Sequence, residues 1–259
     1  MQKAVEKYRK FLWQTAIVIL LLALWELLPR IFDINPLVLP RLSDSVKALG
    51  SPLTGEGTLW SNTWVTLQEI VGAFLIASVL GVGLGLLVGG IEPLRRIATP
   101  FLLAAFAVPI MVLIPLFLVS LGLGISSKIG FGALYALFPV LFNTVVGVSN
   151  VEPIYYSVAK TFGLSRWELA SKVVLRSAAR DIMNGLQNAV SIAIIAVISI
   201  EMFGSVAGLG YLIQRAGQRM RIDETYGLIL VVLVLAIILL GVIKAIGRRM
   251  NIRLEVSIE

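Results

Sequence analysis

Long apolar runs alternate with short polar punctuation along this chain, and the runs are too long for the interior of an ordinary soluble domain. Leu12 to Leu28 forms one run, and Leu228 to Ile243 forms another with almost no polar atoms. A helix needs ~20 apolar residues to cross a bilayer. In lipid the backbone must satisfy its own hydrogen bonds, so runs this long are expected as helices. The pattern predicts six membrane helices, at about 11–31, 62–90, 97–121, 129–149, 180–203 and 224–247. Two segments read differently. Residues 32–61 are mixed, with Pro36, Pro40, Pro52, Gly55 and Gly57, and Ser43 to Leu49 could make a short surface helix. Residues 150–180 form one long polar loop whose apolar positions, Val158, Phe162, Leu169, Val173 and Val174, keep a helical period. The expected fold class is an all-α polytopic membrane protein, organised as a single transmembrane domain over residues 1–259.

Composition agrees with the pattern. The chain is 58% hydrophobic and 14% charged, with a mean hydropathy of +0.93. Soluble domains are about half apolar and about a quarter charged. The basic start (Lys3, Lys7, Arg9, Lys10) ahead of an apolar stretch resembles a signal peptide. The stretch exceeds the usual signal core, however, and no small-residue cleavage site follows, so a retained first helix is expected.

The net charge of +7 raises the question of nucleic acid, but the basic residues flank the apolar runs, which makes topology the simpler reading. With the N-terminus inside, fifteen Lys and Arg fall on the cytoplasmic side against seven outside, and six spans return the C-terminus to the cytoplasm. The seven are Arg30, Arg41, Lys47, Lys128, Arg215, Arg219 and Arg221. Without cysteine or histidine, the chain has no thiol nucleophile, no zinc–thiolate site and no imidazole acid–base chemistry. No catalytic residues, metal or cofactor are expected. No G-x-x-x-x-G-K-[ST] motif is present, so energy must come from a partner or a gradient.

The candidate residues each carry two readings. Gly81, Gly85 and Gly89 recur every four residues, which suits close helix packing or a hinge. Pro109 and Pro115, with Pro139 in the next span, predict kinks that line a pathway or simply bend helices. Glu69, Glu201 and Glu26 are the intramembrane carboxyls, and a charge in lipid is a functional candidate by default. Glu201, followed by Met202 and Phe203, either faces a pathway or holds the end of its helix against an arginine or a backbone group. Asn143, Gln187 and Asn188 either face the pathway or a neighbouring helix. Beyond the glycines at 204, 208 and 210, Arg215, Arg219 and Arg221 place positive charge outside, where it would attract an anion or the acidic rim of a partner. Alternatively Asp223 and Glu224 neutralise part of it and lipid headgroups meet the rest.

The loop at 150–180 is the most informative stretch. Gly163 follows one helical run as a C-terminal glycine does, and Ser165 and Glu168 have the spacing of a capping box that starts another. Helix, glycine turn and helix would present Arg166 and Trp167 on a cytoplasmic knuckle. Such residues suit a protein interface or an anchor in the membrane surface.

This loop resembles the "EAA" loop of binding-protein-dependent ABC importer permeases. Ser157-Val158-Ala159 stands where Glu-Ala-Ala is usual, Gly163 stands at the family glycine, and Leu175-Arg176 stands where Leu-Pro is usual. The missing proline is expected to let the helix run on toward the fifth span. The resemblance extends to LVLPRLSDSVKAL, to FPVLFNTVVGVSNVEPIYYSVAKTFGLSRWELASKVVLRSA and to IEMFGSVAGLGYLI, which is similar to a segment of the branch importing sulfonates, taurine, nitrate and bicarbonate. It implies a type I importer permease fold in a bacterial inner membrane, carrying a small, anionic solute. It implies Ala159, Gly163, Leu164, Ser165, Arg166, Trp167 and Glu168 as ATPase-coupling residues. The implied partners are two ABC ATPase subunits, a second permease copy as a homodimer, an extracytoplasmic solute-binding protein and membrane lipids. Two other classes compete. A secondary transporter would need an internal repeat, and none is evident between the halves. An intramembrane enzyme would need a catalytic set that the residues do not supply.

Overall fold

The computed structural model describes residues 2–50 and 58–249. Twelve helical segments follow one another among them, with no strand between. They are α1 (Gln2–Ile31), α2 (Leu42–Ala48), α3 (Thr58–Gly90), α4 (Glu92–Phe106), α5 (Ile110–Leu121), α6 (Ile125–Ser149), α7 (Pro153–Thr161), α8 (Arg166–Glu168), α9 (Leu175–Ser177), α10 (Ala179–Phe203), α11 (Leu209–Gln218) and α12 (Ile222–Arg249), with a π-helical turn at Leu169–Val174 between α8 and α9. Five of the described helices are long and apolar enough to cross a membrane, and α4 with α5 supplies a sixth span if that bent pair counts as one.

The pair α4–α5 corrects the expectation of one helix at 97–121. The chain turns through 90° there. Pro109 has an extended backbone (φ −59°, ψ 125°) and precedes α5 as its cap. Proline has no N–H to give the preceding turn, and its ring pushes Val108 out of the helical region. Pro115, inside α5, leaves that helix continuous.

The chain divides into two compact units, Met1–Asn62 with Leu212–Val232, and Thr63–Tyr211 with Leu233–Glu259. In the first, Trp25 donates its indole N–H to the Pro40 carbonyl at 3.0 Å and its ring lies 5.8 Å from that of Tyr226. Glu26 accepts the Ser43 amide and hydroxyl, both at 2.9 Å, and pairs with Arg30. The carboxyl of Glu26 therefore ties the entry of α2 to α1, while most of the apolar side chains of α1 stay exposed for lipid or protein to cover.

In the second unit, α6 is the central helix, packed along α10 and flanked by α3, α4 and α5. Gly81, Gly85 and Gly89 of α3 meet Val140, Thr144 and Val148 of α6, also four residues apart. A Cβ at Gly81 would sit 2.7 Å from the Val140 Cβ, and one at Gly89 would sit 2.8 Å from the Val148 Cβ. The glycine stripe is therefore a packing seam, where missing side chains let two backbones approach. Phe131, Tyr135, Ala196, Ile200 and Ile114 join α6, α10 and α5 at one end of the unit, and Val148, Val151, Val174, Ala178 and Ile182 join it to the loop at the other.

Candidate functional site

The loop builds its knuckle from local signals. Pro153 opens α7 at its first turn, where a missing N–H costs nothing. The helix closes with Leu164 N–H on the Ala159 carbonyl and Gly163 N–H on the Lys160 carbonyl, both at 3.1 Å. This pair of bonds is a Schellman ending, and Gly163 takes the left-handed φ of 67° that it requires. Ser165 donates through its hydroxyl (2.9 Å) and its amide (3.1 Å) to Glu168, and the Glu168 amide returns to the Ser165 hydroxyl at 3.3 Å. Lys172 adds an ion pair to Glu168 at 2.8 Å. That pair, with the Ser165 amide and hydroxyl, pushes the Glu168 carboxyl down to about 2.

The result is an exposed tip with apolar side chains. Phe162 and Trp167 are each 78% exposed, while Ala159 is buried beneath and Leu164 is half-buried. The side chain of Arg166 lies outside the described residues. After the capped turn, the π-helical stretch Leu169–Val174 carries the chain to a turn at Ala178, whose amide bonds the Val174 carbonyl. The chain thus runs on from α8 toward the fifth span, as expected from the missing proline, through a π-helical stretch and one turn residue, Ala178, whose backbone stays in the right-handed helical region.

A second polar site lies where α10 ends. Glu201 is 1% exposed and accepts the Thr66 hydroxyl at 2.6 Å and the Gly210 amide at 2.7 Å. Thr66 in turn accepts the Leu209 amide at 2.8 Å. Two orphan N–H groups at the start of α11 are thus capped by side chains from α10 and α3. The glycines at 208 and 210 make this possible: a Cβ on Gly210 would sit 2.7 Å from the Glu201 Cβ, and Gly208 holds φ at 108°. Glu201 therefore bonds a backbone amide as well as Thr66, with no arginine in these contacts.

The other candidates disperse. Met202 is half-buried and Phe203 is exposed. Asn143 donates to the Pro139 carbonyl of its own helix at 2.8 Å and packs against Gly185 of α10. Gln187 has a buried side-chain amide nitrogen with no hydrogen-bond partner, and Asn188 is exposed. Pro109 and Pro115 face outward around the bend. Of the outer basic residues, Arg221 pairs with buried Glu224 at 2.9 Å, Arg215 is half-buried on α11, and Arg219 is exposed after it.

Sequence reasoning missed two buried polar residues here. Lys128 counts among the outer charges by topology, yet it is fully buried in α6. Thr66, 135 positions from Glu201, carries no signal at all in a sequence where threonine in a helix is unremarkable.

The sequence profile described as "binding-protein-dependent transport system inner membrane component" matches residues 65–252. An ABC transporter permease protein of Methanocaldococcus jannaschii is 31% identical over 224 residues, which is 85% of this chain and 84% of that protein. The taurine transport system permease protein of Escherichia coli strain K12 is 27% identical over 235 residues, 89% of this chain and 86% of that one. Among solved structures, a chain of the inward-facing MetNI methionine ABC transporter superposes with a TM-score of 0.63 at 19% identity, covering 76% of this chain and 97% of that chain. At that identity the likeness shows the fold, a helical ABC importer permease.

Proposed function

We propose that this chain, which belongs to the family of binding-protein-dependent transport system inner membrane components, receives the stroke of a separate ATPase on its Gly163 knuckle and passes a small anionic solute inward. The chain is a multi-pass permease subunit of an ABC importer. Its family works with an ATPase and a solute-binding protein. In our reading two ATPase subunits serve two copies of this chain, and both termini are cytoplasmic.

The observation that carries this reading is the exposed aromatic pair, Phe162 and Trp167, on a tip that is rigidly capped on both sides of the turn. Large apolar side chains held in water suit insertion in a partner's groove, and rigid caps suit transmission of force. Ala159, Gly163, Leu164, Ser165, Arg166 and Glu168 shape that tip. The pathway runs past the broken span at Pro109 and Pro115 and the exposed Phe203, with Met202 beside it. Asn143 and the orphan amide of Gln187 supply polarity deeper in the bundle. Support for an anion comes from relatives named for nitrate and bicarbonate import, from the sulfonate group of taurine in the relative named for it, and from the positive charge of Arg215 and Arg219 beyond α10.

The test is uptake into vesicles holding the chain with its ATPase and binding protein, with taurine as probe. The expected result is uptake that needs ATP and all three components. Uptake driven by an ion gradient without the ATPase would contradict the reading and indicate a secondary transporter.

A further inference from the structure

Within the second unit an apolar groove runs between α3, α10 and the later part of α12. It has two stretches, of about 440 and about 200 Å³, which share Phe74, Ile243 and Ile246 as lining and so run on from one another. Along α10 the groove extends from Ala179 to Val190, about 16 Å of helix rise. Leu75 and Ile246 on its rim are exposed. Its serines are spent on their own helices: Ser78 donates to the Phe74 carbonyl at 2.6 Å, and Ser171 donates to the Trp167 carbonyl at 2.7 Å. Arg176 lines the end of the groove nearest the loop, and its exposed guanidinium has no ion-pair or hydrogen-bond partner among the described residues. Arg249 stands three positions beyond Ile246 on the same side of α12, exposed and likewise unpaired among the described residues. The acidic residues closest in sequence to Arg176 are engaged elsewhere: Glu168 pairs with Lys172, and Asp181 packs against Gly147 of α6.

We propose that this groove binds an anionic phospholipid, with one acyl chain laid along α10 and the phosphate held by Arg176 and Arg249. The groove is long and apolar, which suits a hydrocarbon chain better than a compact polar solute. It ends in free guanidinium groups, whose planar forks match phosphate oxygens. Basic sites between membrane helices, at the level of the headgroups, are where acidic lipids are recognised. A second copy of the chain is the poorer occupant, because a helix about 10 Å across does not fit stretches of about 440 and about 200 Å³. The proposal rests on the chain being a membrane permease and is independent of the solute it passes. The lipid belongs to the leaflet on the loop's side of the bundle.

The experiment is native mass spectrometry of the full chain in detergent, titrated with phosphatidylglycerol and, separately, with phosphatidylcholine of the same acyl chains. The parent should retain a single phosphatidylglycerol about tenfold more tightly than phosphatidylcholine, as two basic groups at an anionic headgroup imply. Arg176→Gln combined with Arg249→Gln should abolish that preference. Arg180→Gln combined with Arg248→Gln removes the same charge from residues off the groove, and should keep the parental preference. Ile246→Trp, which fills the junction of the two stretches, should reduce retention of both lipids. Inorganic phosphate should not displace the lipid from the parent, because the acyl chain is held as well as the headgroup. Each substituted position is exposed, so the variants report binding rather than folding. Equal loss of preference in the two arginine pairs would overturn the proposal, as would full retention in Ile246→Trp or displacement by phosphate alone. So would a parent chain released as a dimer that carries no lipid.

Discussion

Ser165 and Glu168 hold each other across the first turn of α8: the serine hydroxyl donates to the carboxylate at 2.9 Å, and the Glu168 amide reaches back to that hydroxyl at 3.3 Å. This reciprocal bond fixes where the helix after Gly163 starts, and so where Trp167 points from the tip.

The bond has a pH signature. Lys172 first, then the Ser165 amide and hydroxyl, hold the Glu168 carboxyl down to about 2 from an ordinary value of 4.5. A depressed carboxyl contributes stability that is complete above its unfolded value and is lost as pH falls through the folded one. The cap should therefore be indifferent between neutral pH and about 5, and should loosen between about 4.5 and 2. Carbon-13 NMR of the Glu168 carboxyl should give a midpoint near 2, rising most in Lys172→Ala. A midpoint of 4.5 in the parent chain would mean that the cap does not form.

The glycine seam predicts a contrast within one helix. Gly85→Val drives a side chain into Thr144 of α6, and overpacking of this kind costs about 1–3 kcal/mol. Gly83→Ala meets nothing within 4 Å and should change stability by less than about 0.5 kcal/mol. Thermal unfolding in detergent micelles checks both. Equal melting points would refute the seam.

Gly163 depends on backbone conformation alone, because nothing lies within 4 Å of the Cβ it lacks. An L-residue in that left-handed conformation costs roughly 1–2 kcal/mol. Gly163→Val should therefore loosen the knuckle and reduce ATPase retention, while Gly163→Asn, which visits this region readily, should stay near the parent. Protease cleavage between α7 and α8 provides the readout. Equal cleavage of parent and valine variant would sink the argument.

Orientation is open to a direct check. A reporter fused after Glu259 should be cytoplasmic, and one inserted near Gly55 should be external. Both positions lie outside the described residues, so the expectation rests on the distribution of basic residues. A cytoplasmic signal at Gly55 would reverse the topology.

Much of this architecture was legible in the chain. Hydropathy located the spans, because a bilayer demands length and apolarity that few other contexts do. The glycine turn and capping box were legible because both are local, set by residues within four positions of one another. The 90° turn at Pro109 was visible only as a kink, since a proline announces a break but not its angle. The π-helical turn at Leu169–Val174 was hidden, because one extra residue per turn leaves an apolar pattern of that length almost unchanged. Charge counting could not see that Lys128 is buried, because the count uses position along the chain and burial depends on how the helices pack. The Glu201 network escaped for the same reason: its partners come from α3 and from beyond the end of α10.

The central claim is that force enters this chain at the knuckle, and Trp167 tests it most directly. Trp167→Ala removes a large exposed ring without touching the Schellman ending or the Ser165–Glu168 cap, so the loop should keep its shape. Truncating a hot-spot tryptophan typically costs ~2 kcal/mol or more of binding, which is about thirtyfold in affinity. The measurement is co-purification of the ATPase with the membrane-inserted variant, together with substrate-stimulated ATP hydrolysis. The variant should insert normally, retain far less ATPase and lose the stimulation. Parental retention and parental stimulation in Trp167→Ala would contradict it and remove the knuckle from the coupling path.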